Sequence, residues 1–398
     1  MKIAIYGAGS CGEYIIQEIN STPISKVEIE VIIDNNPCFS GRTKYNLPIV
    51  GLEKFIDIYQ NIVECVLVTA WDTLQAQEMA VSLLNKNYNN IYLLPENMCG
   101  GRLPLLTQDG KFMSYVKHIS FVKPVLPYAE YHVSDFCNLK CKRCGHFSNL
   151  VTEKIFPDIR EFKDVLDELS KKFRNIKRFR LMGGEPFVNP DLGLFIYEVK
   201  RVFPYSDIRV VSNGLLLPNI SDRTVEAIKA CGAVIDVSQY PPTRHMIEKI
   251  ITFVQEKKLK IAIGEKITKF MVQKGLDTTE DFERIWTNCF SKACHFLRGR
   301  RLYPCPAVIL FYENKEFLEL NITEEETYKH SFDLNNGNED GWEILKKFLC
   351  PFDFCKYCTD MEWFDWSVSK DAVKKEDWFA GLNSYNKCSK LTEKNQRE

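Results

Sequence analysis

Two rhythms of apolar and polar positions alternate along the chain. Short continuous apolar runs mark buried strands, and stretches with apolar residues every three or four positions mark helices with one buried face. Residues 2–6 (K-I-A-I-Y) form the first run and end on Gly7-Ala8-Gly9-Ser10-Cys11-Gly12. A helical stretch from Glu13 to Asn20 follows, then a second run, Val27 to Ile33, which closes on Asp34. Further strands are expected over Val63–Thr69 and Asn90–Leu94, with a helix near Leu74–Leu84 between them. Such alternation gives a parallel sheet covered by helices, so residues 1–100 are expected to form an α/β domain.

From Gly100 to about Leu126 the pattern breaks at Gly100-Gly101, Pro104, Gly110 and Pro124. Residues 101–125 therefore read as a linker with one hairpin. Beyond it the rhythms resume. Tyr128–Ser134, Lys177–Met182, Ile208–Val211, Val234–Val237 and Leu259–Ile263 are expected strands. Between them, Phe162, Val165, Leu166, Leu169 and Phe173 mark one helix face, and Leu192–Val202, Thr224–Ala230 and Met246–Gln255 are further helices. The strands end in polar motifs: Gly183-Gly184-Glu185-Pro186, Ser212-Asn213-Gly214 and Ser238-Gln239-Tyr240. In parallel α/β folds these C-terminal ends are where chemistry sits. Met361 onward is rich in Trp and Phe, which suits a closing helix over the mouth of such a domain or a partner surface. The last ten residues, Ser389–Glu398, are polar and expected to be disordered.

Composition narrows the class. At 398 residues the chain is long enough for two or three domains. A net charge of −1 gives no basic field for nucleic acid or anionic membrane, and no apolar run nears the roughly 20 residues of a membrane span. The first strand runs straight into Gly7, unlike a secretory signal. Fifteen cysteines in a chain this large, many in metal-ligand spacings, suit a reducing cytoplasm better than a disulfide scaffold. Cys11, Cys38, Cys65, Cys99, Cys231 and Cys388 read as ordinary thiols.

The N-terminal turn is a G-x-G-x-x-G between strand and helix, with an acidic residue about twenty positions on. Gly7, Gly9 and Gly12 would let backbone N–H groups approach a pyrophosphate, and Asp34 could bond a ribose hydroxyl. The segment is similar to the Rossmann-like nucleotide-binding domains attached to bacterial polysaccharide enzymes, sugar acyltransferases among them. NAD(P), a nucleotide sugar, or no ligand at all remain alternatives for it. It contains no Tyr-x-x-x-Lys pair of the short-chain dehydrogenase kind.

Ser134 to Ser148 reads S-D-F-C-N-L-K-C-K-R-C-G-H-F-S. Three thiolates at Cys137, Cys141 and Cys144 can turn inward from one loop and grip one soft metal centre. Zinc sites and ordinary 4Fe–4S clusters take four protein ligands; three would leave one iron of a cubane open to a small molecule. The alternatives are a zinc knuckle, which would want a second C-x2-C or a His pair where only His146 is close, or three unrelated thiols. The C-x3-C-x2-C spacing resembles the signature of radical S-adenosylmethionine (radical SAM) enzymes. In that family the open iron chelates S-adenosylmethionine, and an electron splits it to give a 5′-deoxyadenosyl radical. Gly183-Gly184-Glu185-Pro186 matches the family's G-G-E-P motif, which implies contact with the methionyl amino group, Glu185 offsetting the ammonium. Ser212 and Asn213 resemble its ribose-binding position. Asp236, Ser238 and Gln239 either face a ligand or cap a strand. Arg143 departs from the family, which usually has an aromatic residue there; the adenine contact must change or come from Phe136 or Phe147.

Six more cysteines follow: Cys289, Cys294, Cys305, Cys350, Cys355 and Cys358. Cys294 to Cys305 reads as a hairpin with a cysteine at each end, and Cys355-Lys-Tyr-Cys358 as a turn. Together they resemble the auxiliary-cluster extensions called twitch or SPASM domains. Cys294, Cys305, Cys355 and Cys358 are the expected ligands of a second 4Fe–4S cluster, with Cys289 and Cys350 as alternates and structural zinc as the competing metal.

The fold class is thus α/β. A Rossmann-like domain spans 1–100 and a linker 101–125. A partial (β/α)6 radical SAM barrel follows at 126–285, a small Cys-rich α+β extension at 286–365, and an aromatic then polar tail at 366–398. The resemblance, which covers about 126–365, is nearest to radical SAM proteins of polysaccharide and glycan loci. It implies hydrogen abstraction from a carbohydrate or nucleotide sugar, leading to dehydrogenation or epimerisation. A flavodoxin or ferredoxin would donate electrons, which the second cluster would pass on. Peptide modification is the alternative enzyme; an Fe–S or zinc scaffold around an NAD-binding N-terminal domain is the alternative from another class.

Overall fold

The computed structural model describes residues 1–21, 27–95, 116–275, 281–369 and 372–380, which form two compact units of mixed α/β structure. The first is Met1–Val125 with Asp340–Leu349; the second is Leu126–Glu339 and the chain from Cys350 onward.

In the first unit, β1 (Lys2–Tyr6), β2 (Glu28–Ile33), β4 (Leu47–Val50), β5 (Cys65–Val68) and β6 (Ile91–Leu93) make the parallel part of the sheet. Antiparallel β3 (Thr43–Lys44) and β7 (Lys117–His118) close its edges, giving the order β3-β4-β2-β1-β5-β6-β7. The chain winds outward from β1 through β2 to β4, then returns to β5 on the other side of β1. A crevice therefore opens at the C-terminal end of β1. Helix α1 (Ser10–Ser21) buries Ile15, Ile16 and Ile19 against this sheet, and α2 (Thr73–Asn85) starts at the Asp72 cap. The β3–β4 hairpin was not evident in the sequence. Its two turn residues, Tyr45 and Asn46, both have positive φ, the conformation that matches the strand twist in a two-residue hairpin.

The boundaries differ from those expected. The interrupting residues Gly100, Gly101, Pro104 and Gly110, like Cys99, lie outside the described residues. Residues 116–125 are part of the first unit rather than a linker: β7 pairs with β6, and the buried Gln77 side chain bonds both backbone groups of Val125 at 2.7 and 2.8 Å. Within the expected Cys-rich extension, Gly341–Phe348 is a helix of the first unit. It buries Trp342, Ile344, Leu345 and Phe348, and the Trp342 indole donates to the Val122 carbonyl at 2.7 Å.

The second unit is built on β8 (Val125–Ser134), β9 (Asn175–Gly183), β10 (Asp207–Ser212), β11 (Val234–Gln239) and β12 (Lys260–Lys266), side by side in chain order. Helices α3 (Ile159–Lys172), α4 (Leu192–Val202), α5 (Asp222–Cys231) and α6 (Ile247–Lys257) separate them. Phe162 on α3 and Phe195 on α4 pack on Tyr131 of β8, so the odd positions of that strand face helices. Tyr128, Glu130, His132 and Ser134 then point to the opposite face. No boundary falls near residue 285, because β14 (Phe296–Arg298) pairs parallel with β8 and continues the same sheet into β15 (Arg301–Tyr303) and β16 (Phe332–Asp333). The aromatic segment is not the closing helix that was expected. Cys358–Asp365 is a strand, β17, paired antiparallel with β13 (Lys269–Lys274). Cys388 and Ser389–Glu398 lie outside the described residues.

Candidate metal centres and the strand-end site

Strand β8 ends at Ser134 and hands the chain directly to the cysteine loop. Cys137 and Cys141 are buried with Leu139 against Leu215, Tyr240, Phe270 and Trp366, with Cys144 beside them. All three are free thiols. All three sulfurs meet N–H donors, Cys144 those of the His146, Phe147 and Ser148 backbone. Cys137 accepts from Leu139 N at 3.3 Å and from Asn213 Nδ2 at 3.6 Å; Cys141 accepts from the Trp366 indole at 3.3 Å. Burial pushes the Cys137 thiol up to about 11, Cys141 up to about 12, and Cys144 upward too. Protonated thiols gain little from such donors, whereas thiolates bound to a metal gain much, and a bound metal deprotonates its thiols outright. The donor set fits a thiolate-ligated centre.

The strand-end motifs hold this loop in place. A Cβ on Gly184 would stand 2.3 Å from the Phe136 carbonyl oxygen, so only glycine lets β9 and the loop backbone approach so closely. Gly184 N donates to Ser134 O at 2.7 Å, and Glu185 N to Phe136 O at 2.9 Å. The space Gly183 and Gly184 leave is thus filled by the loop's own carbonyls. Glu185 is held by partners within the protein. Fully buried, its carboxylate accepts from the Ser212 hydroxyl at 2.8 Å, Asn213 N at 2.9 Å and Phe187 N at 3.2 Å. Those donors favour the carboxylate, yet burial outweighs them and raises Glu185 to about 7. Pro186 opens the short turn that follows. Ser212 and Asn213 are therefore engaged with Glu185, and Asn213 also with Asn138 Oδ1 at 2.8 Å. Gln239 bonds the Gly264 carbonyl, and Asp236 pairs with Arg209 at 2.9 Å.

The aromatic contacts near Arg143 also depart from expectation. Arg143, at positive φ, lays its guanidinium over Phe364 at 4.1 Å. Phe147 is buried, stacked on Trp378 at 4.9 Å, and Phe136 carries Lys140 and Lys154 over its ring. The aromatic wall beside the loop comes instead from Tyr240, Phe270 and Trp366.

In the first unit, Asp34 accepts from Ala8 N at 2.8 Å and from Asn36 N at 2.8 Å, while Lys44 donates to the Ala8 carbonyl and pairs with Glu13. The acidic residue thus braces the glycine turn. A Cβ on Gly12 would lie 1.8 Å from the Gly7 carbonyl oxygen, whereas one on Gly9 would meet nothing within 4 Å. Gly12 serves packing between turn and helix; Gly9 leaves open space at the crevice.

Four cysteines of the second group share one cavity. Cys289, Cys305, Cys355 and Cys358 line a cavity of about 220 Å³ together with Lys274, Phe311 and Phe354. Cys294 does not line it. It begins the segment into β14 and sits near Glu130 and Arg180, whereas Cys289, the expected alternate, lines the cavity. Cys350 is half-buried elsewhere. Lys274 Nζ donates to Cys358 Sγ at 2.7 Å. Burial works against its ammonium, but Cys358, Cys305 and Cys289 outweigh it and hold Lys274 above the usual lysine range. Among the described residues no three His, Cys, Asp or Glu side chains close in on one ion-sized point. The four cysteines share the lining of one cavity.

Two features escaped sequence reasoning. One is Lys274, one lysine in a lysine-rich stretch. The other is a histidine pair, buried at His132 and half-buried at His146: His132 Nε2 and His146 Nδ1 lie 3.0 Å apart, and His132 Nδ1 meets Asp135 at 2.8 Å. Only the placement of His132 on the inner face of β8, facing the loop, could have signalled it.

Residues 131–251 match the family model of the radical SAM superfamily. A GTP 3′,8-cyclase of Staphylococcus saprophyticus is 28% identical over 160 residues, 36% of this chain and 45% of that protein. The chain thus spans less than half the length of this curated relative. Among solved structures, BtrN in complex with AdoMet and 2-DOIA shares 16% identity, with 65% of this chain and 99% of that one covered at a TM-score of 0.38. UDP-D-quinovosamine 4-dehydrogenase from Vibrio fischeri shares 19%, covering 30% and 92%, at a TM-score of 0.24. No described helix is long and apolar enough to cross a membrane.

Proposed function

We propose that this chain is a radical SAM enzyme that abstracts hydrogen from a carbohydrate or nucleotide sugar and so dehydrogenates or epimerises it. The observation that carries the radical SAM reading is the loop of three free thiols, two buried and one half-buried, at the end of β8, within the residues that match the superfamily. Cys137, Cys141 and Cys144 would hold a 4Fe–4S cluster with S-adenosylmethionine, which together supply a hydrogen-abstracting radical. Asn213 and Trp366 orient the Cys137 and Cys141 sulfurs from the protein side, and Glu185 locks the neighbouring strand ends together. Cys289, Cys305, Cys355 and Cys358 are the proposed ligands of the second cluster, in a twitch-like extension of a partial barrel.

A polar substrate is supported by the sheet face opposite the helices. There Tyr128 donates to Glu130 at 2.6 Å, and Arg180 and Arg209 flank Asp236. Hydroxyl-rich ligands find donors and acceptors on such a face. The first unit, with its glycine turn at the crevice beside β1, is proposed to be a Rossmann-like module for NAD(P) or a nucleotide sugar.

Anaerobic reconstitution tests the proposal. Roughly eight irons per chain are expected from two cubanes, and Ala at Cys137, Cys141 and Cys144 should remove about half and end S-adenosylmethionine cleavage. 5′-Deoxyadenosine release should rise with sugars or nucleotide sugars and not with GTP. Stoichiometric zinc without iron would overturn the cluster reading; stimulation by GTP alone would overturn the substrate class.

A further inference from the structure

Lys274 is set into the same cavity as four cysteines. It stands opposite Cys358 across the β13–β17 ribbon, just past an irregularity in the register between Val272 and Lys274. Bulges of this sort re-aim a side chain. Its Nζ lies 2.7 Å from Cys358 Sγ and over the rings of Phe311 and Phe354, 5.7 and 5.6 Å from their centroids. Among the described residues, the cavity lining includes no Asp or Glu. An ammonium enclosed by aromatic rings and sulfurs needs a counter-charge, and the thiolates of this lining supply it.

We propose that Lys274 is a positioning and charge-balancing residue for the second cluster, setting its reduction potential through a hydrogen bond to the Cys358 thiolate. This rests on reading Cys289, Cys305, Cys355 and Cys358 as that cluster's ligands. A thiolate-ligated cluster is an anion, and reduction makes it more so. A fixed cation with a donor on one ligand sulfur stabilises the reduced form and raises the potential, since hydrogen bonds to sulfur and net charge are the protein's main levers on it. Lysine suits this role as a compact point charge with several donors.

The test is a potentiometric titration, followed by electron paramagnetic resonance, of the full chain with both clusters reconstituted. Added S-adenosylmethionine identifies the first cluster's signal. Lys274→Gln should retain its iron, and its second cluster should shift to a more negative potential. The reduced-to-oxidised ratio at fixed poise should fall about tenfold, which for one electron is about 59 mV. Lys274→Arg, which keeps the charge, should stay near the parent. Equal potentials in the Gln variant and the parent would overturn the proposal. So would a folded Gln variant that loses the second cluster's iron, since Lys274 would then serve assembly. A parent chain with only the first cluster's iron and signal would instead overturn the reading of the four cysteines.

Discussion

Asn213 donates from Nδ2 to Asn138 Oδ1 at 2.8 Å, joining the end of β10 to the middle of the cysteine loop. The same amide reaches Cys137 Sγ at 3.6 Å. Asn213 is itself held: its Oδ1 accepts from Leu215 N at 3.0 Å and its carbonyl from the Thr243 hydroxyl at 2.6 Å. Asn213→Asp keeps the shape but turns a donor into an anion facing an amide oxygen and a sulfur. The variant should fold yet hold clearly less iron in the first cluster, with Asn213→Ala intermediate, because a buried acceptor left facing an acceptor costs roughly 1–3 kcal/mol. Iron per chain and cluster absorbance measure this. Parent-like occupancy in Asn213→Asp would show that the bond to the loop is dispensable.

Glu185 makes a prediction about pH. Its folded carboxyl, raised to about 7 by burial, keeps its proton well above the ordinary 4.5. Between those values the folded state binds more protons than the unfolded one. The stability that Glu185 contributes therefore falls as pH rises from about 4.5 to about 7 and levels off beyond, by on the order of 3 kcal/mol. Glu185→Gln lacks that titration. The difference between the urea midpoints at about pH 5 and about pH 8 should change in the variant by the loss of this contribution; the same difference in parent and variant would place the pH dependence elsewhere.

Much of this was legible because periodicity reports burial directly. Phe162, Val165, Leu166 and Leu169 are all essentially buried on one face of α3, as their spacing implies. The cysteine loop was legible because its three thiols lie within one short stretch. Partner choice over long separations was not. The Glu185 carboxylate meets Ser212 and Asn213 nearly thirty residues away, and the space at Gly184 is taken by Phe136, which no local pattern encodes. Amphipathic Gly341–Phe348 has the right period for a helix, but its period cannot say which unit its apolar face joins. The aromatic run after Cys358 misled for a related reason: Phe364 and Trp363 pair across a ribbon with Phe270 and Met271 as strand residues.

The glycine turn separates two roles that its motif merges. Gly12→Ala should destabilise the first unit severely, because the added methyl overlaps the Gly7 carbonyl oxygen. Gly9→Val meets no such neighbour and should leave the melting temperature of the ligand-free protein close to the parent's. If the crevice takes a pyrophosphate, NAD(P) or a nucleotide sugar should raise the parent's melting temperature and not that of Gly9→Val. A full panel without any shift would make the unit structural.

The exchange of Cys294 for Cys289 gives the sharpest test of the second centre. Both cysteines precede β14, and spacing alone favours Cys294 because it bounds an even hairpin with Cys305. In the folded chain Cys289 Sγ is fixed by the Ser291 N–H at 3.3 Å and lines the cavity with Cys305, Cys355 and Cys358. Cys294 instead feels Glu130 and Arg180 as well as Cys289, and it is not among the residues that line the cavity. Cys289→Ser should therefore lose much of the second cluster's iron and its signal, while Cys294→Ser retains both. A fully ligated cluster also contributes folding energy, so Cys289→Ser should melt lower as well. Cleavage of S-adenosylmethionine by the first centre should persist in both, which separates loss of one cluster from global unfolding. Loss of iron in Cys294→Ser with full retention in Cys289→Ser would return the ligand set to the hairpin.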